Sequence, residues 1–238
     1  MLGILIEEAH KNGIEVHPWL WVFRTGNVND KGGILKQHPE WVAIDKEGNS
    51  LSANQGYWLC PSIPEVRQLL LNIYKELVQK YPVDGIQLDY VRFESQSPVP
   101  YCYNDSCRTQ FKARYGIEPM DIQPFTKPVL DWHLWREDLV NAFVAEFRAE
   151  LKKVRPGLHI SAAVGSGPDR ARLDLLQNWA HWADNRWVDF LSPMDYTSDP
   201  VDFEKRIANT TCRILNSALL APGLGLFMVK GIDPILQQ

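Results

Sequence analysis

An aspartate that ends a short apolar segment is the residue of this sequence whose type and position most favour chemistry. The segment Val83–Glu94 (VDGIQLDYVRFE) begins as a predicted strand and ends in charged residues. Because side chains alternate along a strand, Ile86 and Leu88 point to one face while Gln87 and Asp89 point to the other. Enzymes of the α/β class place catalytic groups at the carboxyl ends of parallel strands. Asp89 is therefore a candidate catalytic carboxylate, and the alternative is an aspartate that only caps a turn.

Composition limits the class of protein. A chain of 238 residues with 45% hydrophobic and 23% charged residues is typical of a globular protein with a sizeable core. The net charge of −4, without a basic cluster, argues against a nucleic-acid partner. No apolar run is long enough to span a membrane. Nine tryptophans are a high number. Core packing is the default explanation for any one of them, but the excess also suits sugar binding, since indole rings stack on the flat faces of sugars. No cofactor motif is found, and the oligomeric state is left open.

Apolar segments that alternate with amphipathic ones predict βαβ units and a parallel sheet. The predicted strands are Ile14–Phe23, a segment from Val83, Leu158–Val164, Trp187–Asp195 and Leu219–Phe227. The predicted helices are Leu2–Asn12, Ser62–Tyr81, Asp131–Val154, Ala171–Ala183 and Val201–Asn216, with another that starts at Gly231. A capping box at Ser62–Glu65 is expected to open the second helix. Asp84 and Asp189, where two strands begin, are expected to be structural.

The two connections Arg24–Pro61 and Arg92–Pro128 are far longer than the ~2–6 residues usual after a strand. Such loops lie on the face where barrel enzymes bind their substrates. Five predicted strands are fewer than a closed (β/α)8 barrel needs. We therefore expect residues 1–238 to form a single (β/α)8 TIM-type barrel domain that is truncated at both ends. A doubly wound sheet is the competing fold, but no Gly-rich phosphate turn follows a strand.

The four cysteines leave the compartment open. Cys102 and Cys107 share a loop, where they form either a local disulfide or two free thiols. A zinc site is not expected, because the Cys-x4-Cys pair has no second Cys or His pair at ligand spacing.

Several motifs in order resemble the glycosyl-hydrolase-like family ten, a family of bacterial (β/α)8-barrel glycosidases. The motifs are Leu5–Trp21, His38–Trp41 (HPEW), Pro64–Arg67 (PEVR), Val83–Phe93 and Val188–Thr197 (VDFLSPMDYT). The resemblance implies strands 3–7 of that barrel and action on a polysaccharide, with bacterial cell-wall glycan as one candidate. It also implies an extracytoplasmic location, either secreted, periplasmic or lipoprotein-anchored.

The sequence departs from related patterns at two places. Many family members have Asp-Asp-Tyr after the fourth strand, and here Tyr90 takes the place of the second Asp. Aligned with the chitinase signature on Asp84, the middle Asp becomes Gln87 and the catalytic Glu becomes Val91. Chitinase chemistry is therefore not supported.

Glycoside hydrolysis typically needs two carboxyl groups, one ionised and one protonated. We expect Asp89 to be the ionised group, kept charged by Arg92. Asp195 is slightly favoured over Glu94 as the acid. His17 and Trp19 are expected to line the same mouth, although His17 also fits a hydrogen-bonded core residue. The other expected substrate-binding residues are Arg24, Trp58, Tyr90, Arg92 and Tyr196.

The resulting prediction is a glycoside hydrolase with two-carboxylate catalysis. The alternative is a catalytically silent barrel that only binds glycan. A metal-dependent hydrolase ranks low, because the sequence has no His-x-His or His-x3-His pair.

Overall fold

The computed structural model describes residues 1–95, 100–214 and 218–228. Its helices are α1 (Leu2–Lys11), α2 (Gly33–Gln37), α3 (Pro64–Lys80), α4 (Asp105–Tyr115), α5 (Lys127–Val154), α6 (Pro168–Leu175), α7 (Trp179–Asp184) and α8 (Pro200–Ile214). Its strands are β1 (Trp19–Trp21), β2 (Arg24–Asn27), β3 (Gly56–Trp58), β4 (Gly85–Asp89), β5 (His159–Val164), β6 (Phe190–Pro193) and β7 (Leu219–Leu220). Short 3₁₀ turns cover Pro39–Trp41, Pro119–Asp121 and Leu226–Met228.

Five strands form one parallel sheet in the order β1-β4-β5-β6-β7. Each strand pairs with the strand that precedes it in this sheet, which is the sequential order of a (β/α)8-barrel wall. The α/β class and the five parallel strands of an incomplete barrel are therefore confirmed. The carboxyl ends of these strands lie along one rim, which is where Asp89 is placed.

The two faces of the sheet differ in polarity, as predicted from the alternation of apolar and polar side chains along β4. Ile86 and Leu88 are fully buried in the core between the sheet and its helices. Gln87 and Asp89 have the opposite parity and face the concave side. The helices contribute large aromatic side chains to the core, and the Tyr74 ring on α3 packs edge-on against Phe147 on α5 at 4.9 Å.

Asp84 and Asp189 each fix the start of a strand, as expected for structural residues. The Asp84 carboxylate accepts a hydrogen bond from the Val16 amide at 2.7 Å. The Asp189 carboxylate accepts one from the Ile160 amide at 2.8 Å. Each aspartate therefore ties its strand to the preceding strand of the sheet.

The first predicted strand, Ile14–Phe23, is too long. Regular pairing covers only Trp19–Trp21. Pro18 has no N–H group to donate. Its carbonyl oxygen alone forms a hydrogen bond, which it accepts from the Gln87 amide at 3.0 Å. The final predicted strand, Leu219–Phe227, is likewise reduced to two residues.

The long connections contain more regular structure than the sequence predicts. The first folds back as the antiparallel pair β2–β3, and the second contains α4. The predicted helix Ala171–Ala183 is two helices, α6 and α7, separated at Leu176, whose backbone is left-handed with a φ of 53°.

The predicted capping box at Ser62 is wrong. The N-cap residue of α3 is Ile63, without a side-chain cap, and the Ser62 hydroxyl instead lies 3.1 Å from the Cys107 sulfur. Of the two states left open for Cys102 and Cys107, this structure contains the disulfide. The helix predicted to start at Gly231 lies outside the described residues. Among the residues that the structure describes, no helix is both long enough and apolar enough to cross a bilayer.

Candidate active site

Asp89 ends β4 with its carboxyl group at the rim of the sheet, where only 6% of the residue is exposed. One carboxylate oxygen accepts a hydrogen bond from the Tyr90 amide at 2.6 Å. The other accepts one from the indole N–H of Trp19 at 3.1 Å. Trp19 reaches it because β1 and β4 are in register, with Trp19 opposite Gln87 and Trp21 opposite Asp89. Both oxygens of Asp89 are therefore oriented by neighbours.

The surroundings of Asp89 make its carboxyl group easier to protonate than that of an aspartate in water. Burial is the largest influence and raises the pKa of the Asp89 carboxyl above its ordinary value. The hydrogen bonds from Tyr90 and Trp19, and the positive charges of Arg92 and Arg24, oppose this effect without cancelling it. Arg92 therefore attracts the charged form, as expected, but the loss of hydration outweighs this attraction in setting the direction of the pKa shift.

A cleft of about 400 Å³ opens beside Asp89 on the concave side of the sheet. Its lining residues are Trp19, Gln87, Asp89, Ala163, Ser192, Met194, Tyr196, Ala221 and Gly223. Trp19 is 58% exposed and Tyr196 is 40% exposed, so both aromatic rings are accessible from solvent. The cleft thus combines one oriented carboxyl group with exposed aromatic side chains.

Behind Asp89 lies a group of aromatic and cationic side chains, Trp21, Arg24, Trp58, Tyr90 and Arg92, which we call the Tyr90 cluster. The Tyr90 ring lies 5.0 Å from the Trp21 ring and 5.6 Å from the Trp58 ring, both edge-on. The guanidinium groups of Arg24 and Arg92 each lie 5.0 Å from the Tyr90 ring. Arg24 also donates a hydrogen bond to the Tyr90 hydroxyl at 3.0 Å.

The backbone of Tyr90 is held in the left-handed region, with a φ of 51°. A bulky residue adopts this conformation only when its surroundings impose it. The contacts of the Tyr90 cluster supply that constraint, and the turn directs the Tyr90 amide at the Asp89 carboxylate. Tyr90, Arg24 and Arg92 thus shape the surroundings of Asp89, whereas Trp58 is only 3% exposed and is enclosed. The expectation that Trp58 contacts substrate is not supported by this position.

Neither of the other two candidate carboxyl groups lines the cleft. Glu94 is buried and accepts hydrogen bonds from the Asn54 side chain at 2.7 Å and from the Ser95 amide at 3.0 Å. Asp195 is fully enclosed and accepts a hydrogen bond from the Ser166 hydroxyl at 2.5 Å. The parity of β6 explains its position, because Met194 and Tyr196 face the cleft and the residue between them does not. The preference for Asp195 as the proton donor is therefore corrected.

His17 lies at the wrong end of the sheet for the predicted role. Its ring stacks on His159 at 6.0 Å and lies 5.8 Å from Phe190, and both partners begin their strands. His17 is four residues before Trp21, which places it about 13 Å below the level of Asp89 at ~3.3 Å per residue. The alternative interpretation, a hydrogen-bonded packing residue, fits better, since its imidazole contacts Glu15 at 2.9 Å.

Three of the predicted site residues line the cleft: Trp19, Asp89 and Tyr196. Gln87, Ser192 and Met194 also line the cleft but were not among the predicted site residues. Strand parity was the available signal, because Gln87 shares the face of Asp89, and Ser192 and Met194 share the face of Tyr196.

Comparisons with known proteins agree with this architecture. The family model described as glycosyl hydrolase-like 10 matches residues 1–217. Glycosyl hydrolase DigH of Escherichia coli O6:H1 is 33% identical over 161 residues, which cover 65% of this chain and 33% of that protein. Glycosyl hydrolase YngK of Bacillus subtilis is 27% identical over 218 residues, which cover 83% of this chain and 39% of that protein. The chain thus spans between a third and two fifths of the length of these curated relatives.

The fold is similar to that of a solved glycosidase. The glycoside hydrolase domain of PgaB (BpsB) from Bordetella bronchiseptica superposes with a TM-score of 0.67 at 13% identity, covering 96% of this chain and 68% of that one. At this identity the similarity concerns the fold alone.

Proposed function

This chain belongs to the glycosyl hydrolase-like 10 family, and on that premise we propose that it hydrolyses O-glycosidic bonds in a polysaccharide, with Asp89 as the proton donor. The observation that supports this role is the position of Asp89: a nearly buried carboxyl group, with a raised pKa, that still borders an open cleft. A carboxyl group that holds its proton at higher pH is suited to protonate a leaving oxygen.

The cleft suits a carbohydrate in its chemistry. Trp19 and Tyr196 offer exposed ring faces, while Gln87 and Ser192 offer hydrogen-bonding groups on the floor of the cleft. Sugars present both apolar faces and hydroxyl groups, so such a mixture binds them well. We extend the proposal to a bacterial cell-wall or environmental polysaccharide and to an extracytoplasmic location, on the basis of the family resemblance.

The second carboxyl group of a two-carboxylate mechanism is not among the described residues that line this cleft, apart from Asp89 itself. We assign no proton transfer to Glu94 or Asp195, because both are enclosed. Their proposed role is to position the loops on which they lie, through Asn54 and Ser166.

The test is incubation of the full chain with a panel of polysaccharides, cell-wall glycan included, with release of reducing ends as the readout. We expect Asp89→Asn to abolish most of the turnover, while Asp184→Asn, which alters an exposed carboxylate at the end of α7, leaves it unchanged. Wild-type turnover by Asp89→Asn would show that the proton donor is another residue.

A glycan-binding barrel without activity is the second candidate. It is favoured by one specific observation, the presence of a single candidate carboxyl group in the described lining of the cleft. Calorimetry on the same panel separates the two functions. Binding of an oligosaccharide by wild type without any release of reducing ends would support the binding barrel.

A further inference from the structure

Three cysteines come together from the two long connections of the chain, one from the first and two from the second. The sulfurs of Cys60, Cys102 and Cys107 all lie within 4.8 Å of one another, and all three residues are fully buried. Cys102 and Cys107 form a disulfide in this structure, and the Cys60 thiol lies 3.7 Å and 3.4 Å from their respective sulfurs. The sequence did not suggest this cluster, because Cys60 is on a different connection.

The two distances from the Cys60 sulfur to the other sulfurs resemble the sulfur–sulfur distances in a tetrahedral metal site. Thiolates bound to zinc at ~2.3 Å lie roughly 3.8 Å apart, close to the two distances from Cys60. The Ser62 hydroxyl lies 3.2 Å from the Cys60 sulfur and 3.1 Å from the Cys107 sulfur, so an oxygen atom is also present. Three buried sulfurs and one buried hydroxyl oxygen therefore lie close together.

We propose that Cys60, Cys102 and Cys107 form, when the disulfide is reduced, a binding site for one thiophilic d¹⁰ cation of the zinc class. The disulfide and the metal complex are two chemical states of the same cluster. Cleavage of the S–S bond by a phosphine and water gives two thiols and the phosphine oxide. Binding of Zn²⁺ by the three thiols then releases three protons and forms three Zn–S bonds.

Cys60 must lose its proton when it binds the metal. Burial raises the pKa of the Cys60 thiol to about 11, so in the absence of a cation this side chain stays protonated at neutral pH. A bound dication supplies the attraction that a buried thiolate requires.

The bound cation would be structural and would join the segment that follows β3 to α4. Cys60 follows β3, which carries Trp58, and Cys107 lies on α4. The two segments already touch, because the Ser62 carbonyl accepts hydrogen bonds from the Ser106 hydroxyl at 3.2 Å and from the Gln110 side chain at 2.8 Å. Three metal–sulfur bonds would fix this contact covalently.

The test uses the full chain, reduced with a phosphine under nitrogen, loaded with zinc and washed with a weak chelator. We expect about one equivalent of zinc to remain, and none to remain on Cys60→Ser. The matched control is Cys212→Ser, because Cys212 is exposed and free, and its zinc content should equal that of wild type. With zinc ~100-fold above its dissociation constant, the unfolding equilibrium should shift about 100-fold toward the folded state.

A second measurement avoids dependence on variants that fail to fold. Cobalt added to the reduced wild-type chain should give the intense near-ultraviolet thiolate band and the visible bands of a tetrahedral site. The proposal is overturned if cobalt gives no thiolate band, or if reduced wild type keeps no more zinc than the chain with its disulfide intact.

Discussion

The indole N–H of Trp19 donates a hydrogen bond to the Asp89 carboxylate across 3.1 Å, so an exposed aromatic residue of β1 directly contacts the proposed proton donor on β4. The same side chain thus offers a ring face to the cleft and an N–H group to the carboxyl. Under the proposed function, substrate binding and the protonation of Asp89 would be coupled through this one residue.

Removal of this N–H group should raise the pKa of Asp89 further. Trp19→Phe keeps an aromatic ring but removes a donor that stabilises the ionised carboxylate. Because the proposed acid must be protonated, activity should fall as pH rises through its pKa, and this alkaline limb should move to higher pH in the variant. The measurement is kcat/KM against pH. Trp187→Phe is the control, because Trp187 packs against His181 outside the cleft, and an equal displacement in both variants would disprove the coupling.

The turn into β4 depends on Arg155. Its guanidinium donates hydrogen bonds to the carbonyls of Val78 at 2.6 Å and Tyr81 at 3.0 Å, and also to that of Val83. Arg155→Ala should lower the free energy of unfolding by about 2–3 kcal/mol, because three carbonyls lose a charged donor. Urea denaturation measures the change, with the exposed Arg170→Ala as control. A loss no greater than that of the control would contradict this role.

Asp189 should make stability depend on pH in the acid range. Burial alone would raise the pKa of Asp189, but the hydrogen bonds from Ile160 and Arg148 and the charges of Arg148 and Lys152 outweigh it and lower the pKa. A lowered folded-state pKa means that the stabilisation is fully present above the unfolded value of ~3.9 and is lost as pH falls through the folded value. Asp189→Asn should therefore be less stable than wild type at pH 7, and the difference should narrow below about pH 4. Thermal melts across this range test it, and a difference that does not vary with pH would refute it.

Residue 85 must be a glycine, because the His17 ring occupies the space that a β-carbon would need. A β-carbon at Gly85 would lie 2.4 Å from the His17 ring and 2.8 Å from the His159 carbonyl oxygen. Gly85→Ala should destabilise the fold by about 1–3 kcal/mol, the usual effect of overpacking. The loss should shrink in a His17→Ala background, which removes one of the two clashes. Gly157→Ala is the control, since no atom lies within 4 Å of its β-carbon. An equal loss in both backgrounds would mean that His17 does not impose the glycine.

Local patterns predicted the part of the site that depends on strand parity. Alternation in Val83–Asp89 placed Asp89 on the concave face, and the motifs indicated the barrel. Alternation within one strand does not show how that strand is aligned with the strands beside it. For this reason the sequence predicts His17 at the wrong rim of the sheet. Register comes from pairing, here Trp19 opposite Gln87, which is a long-range property.

Tertiary contacts explain the other differences. Helix α4 has few apolar residues and is held by the burial of Cys107 and Phe111, so its own sequence gives a weak helical signal. The pKa of Asp89 depends on its loss of hydration rather than on the presence of Arg92 nearby, and burial of one carboxyl group cannot be obtained from spacing. Enclosure of Asp195 likewise depends on Ser166, which lies on another connection.

The most direct test of the proposed proton transfer compares two leaving groups on one sugar. Once a cleaved glycan is identified, kcat/KM of Asp89→Asn is measured on that glycan and on the 4-nitrophenyl glycoside of the same sugar. We predict a loss of at least about 10²-fold on the glycan and a much smaller loss on the nitrophenyl substrate, whose leaving group departs without a proton. Equal losses on the two substrates, or no loss on either, would contradict the assignment of Asp89 as the proton donor.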